Sequence, residues 1–125
     1  MKTLSLYIDN DAIGYSVWSN KVIRECGEFL SSTAELNYLF KTYKPMIVMV
    51  NMKNFSDNVS SARISVLTEL YDAQYEEGDH FSSYPEHVGM EIKQKQHLMG
   101  KEKPRLPTKL EGLSILMFWT KHKEV

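Results

Sequence analysis

Apolar residues between Thr3 and Leu30 fall in short β-prone runs separated by polar pairs. Residues 3–8 and 13–18 predict two strands joined by a turn around Asn10 and Asp11. Val22 to Leu30 predicts a third strand after the Ser19-Asn20-Lys21 turn, where Asn20 suits a positive φ. The period then lengthens. Ser31-Ser32-Thr33 supplies helix N-cap chemistry, Glu35 falls in the first turn, and Leu36, Leu39, Phe40 and Tyr43 follow at helical spacing. Pro45 ends that helix. Met46-Ile47-Val48-Met49-Val50 is continuously apolar and suits a strand buried on both faces.

The second half is more polar. After a loop over residues 51–58, Asp57 or Asn58 can cap a helix over roughly residues 59–76. Its expected apolar stripe is Val59, Ala62, Val66, Leu70 and Ala73, with Gly78 beyond its end. His80 to Pro85 reads as a loop and Val88 to Ile92 as a short fifth strand. Residues 93–109, interrupted by Gly100, Pro104 and Pro107, read as a mobile basic loop. Leu110 to Trp119 is apolar on almost every side, which suits a last helix packed between the sheet and a partner, or a final strand. The resulting order, βββαβαβα, predicts an α/β fold: a mixed sheet of three antiparallel strands followed by alternating β and α, with helices on the sheet faces.

Composition narrows the classes. The chain has 125 residues, 42% hydrophobic and 25% charged, which predicts one globular domain over residues 1–125. Cys26 is the sole cysteine, so an intrachain disulfide is excluded. The apolar run after Lys2 is broken by Ser5 and Asp9, and no run approaches membrane-span length. These features predict a cytoplasmic protein. His80, His87, His97 and His122 lack zinc-ligand spacing, and neither a phosphate-binding Gly-rich loop nor a nucleophile elbow is present.

The net charge of −1 conceals an asymmetry. Residues 1–90 hold 7 Lys and Arg against 12 Asp and Glu, whereas residues 91–125 hold 8 against 4. Lys93, Lys95, Lys101, Lys103, Arg105 and Lys109 cluster in sequence and can follow a phosphate backbone. Few aromatics interleave with them, so base stacking is not expected there. The alternative is a solvated basic face.

The element order resembles the ribonuclease H-like fold, and four local patterns resemble its RuvC-type Holliday junction resolvases. They are Ile8-Asp9 followed by Ile13-Gly14-Tyr15, the Pro-led strand Lys44 to Val50, Ile92-Lys93-Gln94, and Leu110-Glu111-Gly112-Leu113-Ser114-Ile115. The resemblance implies a structure-selective, Mg²⁺-dependent DNA endonuclease, acting as a dimer on branched or double-stranded DNA. Such chemistry needs several oxygen ligands converging on two Mg²⁺ ions. Carried over by position, Asp9 and Glu111 are the implied metal ligands and Asn51 a neutral catalytic ligand. Lys93 corresponds to a lysine near the scissile phosphate. Asn51 and Thr108 stand where the pattern calls for acids, which depletes the site of two charges. Asp11, Asp57 and Glu91 are nearby carboxylates that could substitute. Each candidate has a simpler reading too: Asp9 as a turn former, Glu111 as a first-turn acid favoured by the helix dipole, and Asn51 as a strand-end cap. Three functions therefore compete: a nuclease with a depleted metal site, a catalytically inactive ribonuclease H-like module binding nucleic acid or protein, and an unrelated α/β adaptor. Leu113, Leu116, Met117, Phe118 and Trp119 exceed what one helix face needs, which predicts a homodimer or partner surface there.

Overall fold

A computed structural model describes residues 1–10, 12–30, 33–51, 60–84, 86–98 and 106–122. The strands are β1 (Lys2–Asp9), β2 (Ala12–Ser19), β3 (Val22–Leu30), β4 (Ile47–Asn51) and β5 (Gln74–Gly78). The helices are α1 (Thr33–Tyr43), α2 (Ser61–Leu70), α3 (Glu86–Leu98) and α4 (Lys109–His122). One five-stranded sheet runs in the order β3-β2-β1-β4-β5. β1, β2 and β3 pair antiparallel, whereas β4 pairs parallel to β1 and β5 parallel to β4.

The two hairpin turns follow local chemistry. Asn10 and Asn20 take left-handed backbone angles, with φ of 53° and 57°, a region Asn enters at little cost. Asp9 stays in the strand and pairs with Ala12. It ends β1 rather than forming the apex of the turn.

Strand alternation sends β1 residues to two different cores. Leu4, Leu6 and Ile8 pack with Leu36, Leu39, Phe40, Val48, Val50, Ile64 and Leu67 under α1 and α2. Tyr7 faces the opposite side with Trp18, Met49, Val88, Ile92 and the buried residues of α4. Helices therefore cover both faces of the sheet. The Trp18 and Phe118 rings stack 4.0 Å apart and 8° from parallel, which anchors the later part of α4 on β2.

Two elements depart from the sequence expectation. The second helix stops at Leu70 instead of continuing to residue 76. Asp72 turns left-handed at φ 54°, and the Asp72 and Ala73 amides donate to Glu69 O and Thr68 O, closing the helix without a glycine. The next five residues, Gln74-Tyr75-Glu76-Glu77-Gly78, form the edge strand β5. Charge on an edge strand discourages pairing with other chains and also hides the strand from a hydrophobicity pattern. Val88 to Ile92, expected as the fifth strand, lies inside α3, where the four-residue spacing puts Val88 and Ile92 on one buried side. Lys93 and Lys95 are consequently helical, not part of a loop.

The stripe expected on the second helix also faces the wrong way. Val66 and Leu70 are 53% and 72% exposed, and Ala62 is exposed. Ile64, Leu67 and Thr68 are buried instead, with the Thr68 hydroxyl donating to Ile64 O at 2.6 Å. Val59, the first residue of that stripe, lies outside the described residues. The C-terminal element is a helix. Leu113, Met117, Phe118 and Trp119 are buried within the chain and Leu116 partly so. The apolar excess of this helix thus packs inside the chain, against the sheet and α3. Among the described residues, no helix is long and apolar enough to cross a membrane.

Candidate functional site

The parallel strands β1 and β4 end side by side, and the start of α4 crosses β2 beside them. Small residues allow this close approach. A Cβ on Gly14 would lie 2.2 Å from both Leu110 C and Leu110 O, so only glycine lets the first turn of α4 rest on β2. Further along, Ser5 Oγ donates to Ser114 O at 2.7 Å, and the Ser16 and Ser114 hydroxyls hydrogen-bond at 3.2 Å. Trp18 Nε1 donates to Ser16 Oγ at 2.9 Å. This seam fixes where α4 begins relative to the ends of β1 and β2.

Three of the sequence candidates lie around this edge. Asp9 is the last residue of β1 and is partly buried. Alternation puts it on the same face as Tyr7, the face covered by α4. Asn51 is the last residue of β4 and is 0% exposed. Its Oδ1 accepts from Ile8 N–H at 2.8 Å, and its Nδ2 donates to Ile8 O at 2.9 Å. The β1–β4 ladder is registered as far as Leu6 and Val50, and the Asn51 amide extends it by two more hydrogen bonds. A carboxylate could take the first bond but has no proton for the second. The neutral residue at the expected acid position is therefore the one the backbone requires.

Glu111 is 1% exposed and belongs to a reciprocal cap. Thr108 N–H donates to Glu111 Oε1 at 3.0 Å, and Glu111 N–H donates to Thr108 Oγ1 at 3.3 Å. The sequence Thr108-Lys109-Leu110-Glu111 is thus a capping box. Thr108, the other non-acid at an expected acid position, also has a local structural role. Glu111 further raises the pKa of the Tyr84 phenol, second to burial. Tyr84 donates to Pro107 O at 3.1 Å, and its ring covers Gly112.

Two of the three candidate ligands already serve the backbone. A two-ion Mg²⁺ centre needs several oxygen ligands at close range, whereas Asn51 Oδ1 is bonded to the backbone and Glu111 Oε1 to its cap. Among the described residues, no group of three or more His, Cys, Asp and Glu side chains could hold a metal. Asp11 and Asp57, which could substitute, lie outside the described residues. Glu91 sits on α3.

Of the basic candidates, Lys93 is exposed on α3 and Lys109 is exposed at the first position of α4. Lys95 lies in the backbone of α3. Lys101, Lys103 and Arg105 fall outside the described residues.

Two polar clusters carry no signal that the sequence reading used. At the edge, the Tyr7 hydroxyl meets the segment after β5. It donates to Phe81 O, accepts from Phe81 N–H at 2.9 Å and lies 3.2 Å from His80 Nδ1. Burial raises the Tyr7 pKa, the Phe81 hydrogen bond opposes this, and the charge of Asp9 adds to the rise. On the opposite sheet face, Glu25 accepts from three phenols: Tyr15 at 2.7 Å, Tyr38 at 2.9 Å and Tyr43 at 2.7 Å. A bulge between Val17 and Trp18 places Glu25 opposite Val17. Gly27 leaves room for the Tyr15 ring, since a Cβ there would lie 2.8 Å from its hydroxyl. An isolated tyrosine or histidine in sequence announces none of these long-range pairings.

A scan against protein-family models found no match, and a search of the curated proteins found none. Solved structures do match. The structure of T. thermophilus RuvC in complex with a Holliday junction substrate superposes with a TM-score of 0.60 at 10% identity, covering 98% of this chain and 97% of that one. A second Thermus thermophilus RuvC structure gives a TM-score of 0.64 at 10% identity, covering 97% and 96%. The chain therefore shares with these structures a ribonuclease H-like α/β fold, a mixed sheet with helices on both faces.

Proposed function

We propose that this chain is a ribonuclease H-like module that binds branched or double-stranded DNA without the two-metal hydrolysis associated with the fold. The observation that carries this reading is the Asn51 side chain, bonded through both its amide atoms to the backbone of Ile8. The capping box of Thr108 and Glu111 supports it, because both residues stabilise the start of a helix. DNA binding rests on the fold shared with a junction-bound RuvC and on the basic C-terminal third. Lys93, Lys109 and Lys121 are its exposed described members, with Lys95, Lys101, Lys103 and Arg105 as further phosphate contacts.

A second reading, a Mg²⁺-dependent endodeoxyribonuclease, draws on Asp9 and Glu111, two carboxylates positioned around the same end of the sheet. One experiment separates the readings. Junction and duplex DNA are incubated with protein at low salt, with and without Mg²⁺ or Mn²⁺. Binding without cleavage is the expected result. Cleavage that disappears in Asp9→Ala would establish the nuclease, and absence of any binding would reject both readings.

A further inference from the structure

The Tyr7 hydroxyl has one proton and two acceptor lone pairs. The proton goes to Phe81 O, and one lone pair receives Phe81 N–H. With the proton on that side, the contact with His80 Nδ1 at 3.2 Å uses the second lone pair, with Nδ1 as the donor. A neutral imidazole with its proton on Nδ1 has a bare lone pair on Nε2. The His80 ring also stacks on Tyr7, with centroids 5.8 Å apart, which holds its orientation. His80 is exposed and follows the C-terminal end of β5, the edge of an α/β sheet where ligands bind. Among the described residues, Nε2 has no hydrogen-bond partner.

We infer that Tyr7 is a positioning residue that holds His80 as the Nδ1–H tautomer, so that Nε2 acts as a hydrogen-bond acceptor toward nucleic acid. The inference rests on the DNA-binding reading and deepens it. Phosphate oxygens only accept hydrogen bonds, so a bare Nε2 cannot recognise them. The complementary groups are donors, namely the exocyclic amino groups of bases left unpaired or exposed at a branch point. The lysines then supply sequence-independent affinity while His80 contacts a base.

Two measurements test this. ¹⁵N NMR of the imidazole nitrogens at pH 8, where histidine side chains are neutral, should show protonated Nδ1 and bare Nε2 in the free protein. Tyr7→Phe should return His80 toward the more common Nε2–H form. A wild-type spectrum with Nε2–H overturns the assignment without any variant. In DNA binding at the same pH, His80→Ala should weaken binding of DNA with unpaired bases by about fivefold, the scale of one hydrogen bond. It should leave both fully paired duplex affinity and the salt dependence unchanged. A reduced salt slope would make His80 a phosphate contact and overturn the proposal. If the protein binds no DNA, the acceptor role falls with the DNA-binding reading, while the tautomer result stands or falls by itself.

Discussion

Asn51 and Ile8 are joined by two hydrogen bonds, one in each direction, between a fully buried side-chain amide and a strand backbone. The pair locks the ends of β1 and β4 together. Asn51→Asp keeps the shape but turns the donor into an acceptor facing Ile8 O. The expected loss is about 2–3 kcal/mol, the scale for a buried polar group deprived of its partner. Urea denaturation measures it. A stability within error of wild type would mean that the bridge is not needed, and that an acid is tolerated at this edge.

The capping box gives a way to tell structure from metal binding at Glu111. Thr108→Ala should cost about 1 kcal/mol. Glu111→Gln keeps an oxygen for Thr108 N–H and should cost less than Glu111→Ala. Thermal denaturation with and without millimolar Mg²⁺ reads both roles together, because a cation bound to the folded state raises the midpoint. No Mg²⁺-dependent shift is expected in wild type. A shift that vanishes in Glu111→Gln would instead place the carboxylate on a metal.

The tyrosines around Glu25 make a pH prediction. Burial and the hydrogen bond to Glu25 push the Tyr15 and Tyr43 phenols well above their ordinary value of 10.0. Tyr38 is raised chiefly by its hydrogen bond to Glu25. A folded-state pKa above the unfolded value means that the folded chain holds these protons more tightly. Their contribution to stability is complete below about pH 10 and declines as pH rises beyond it toward the folded-state values. Absorbance at 295 nm should show Tyr15 and Tyr43 ionising only as the chain unfolds. Glu25→Gln should bring both titrations down, and unchanged titrations in that variant would remove Glu25 as the cause.

Lys93 tests the basic face. If it contacts a phosphate, Lys93→Ala should weaken all DNA substrates alike and reduce the salt slope by about one. A change confined to one DNA structure would point to a different role. Binding isotherms at several salt concentrations suffice.

The first half of the chain was legible because its chemistry is local. The three antiparallel strands, the Asn20 turn, the first helix and the apolar fourth strand all follow from period and turn residues. The misreadings share a cause. Ile64, Leu67 and Thr68 sit at positions i, i+3 and i+4, but a buried threonine breaks the apolar pattern that the exposed Ala62, Val66 and Leu70 imitate. Gln74–Gly78 is an edge strand without apolar alternation, and Val88 and Ile92 have helical spacing within a run short enough to resemble a strand. The places of Asp9 at the end of β1, Asn51 at the end of β4 and Glu111 in the first turn of α4 were legible from the family pattern. Their hydrogen bonds were not, because Asn51 with Ile8 and Tyr7 with His80 are separated by 43 and 73 residues.

Gly14 remains the tightest constraint on this edge. The residues at 51 and 108 can differ from the acids of the family pattern while their strand and helix stay in place. Position 14 has no such latitude, since the backbone of Leu110 already fills the volume of a side chain. It works as a gauge block between β2 and α4: any added carbon lifts the helix start, with its Thr108–Glu111 cap, off β2. The alignment of the edge is thus held by a missing atom, independently of whatever chemistry the edge performs.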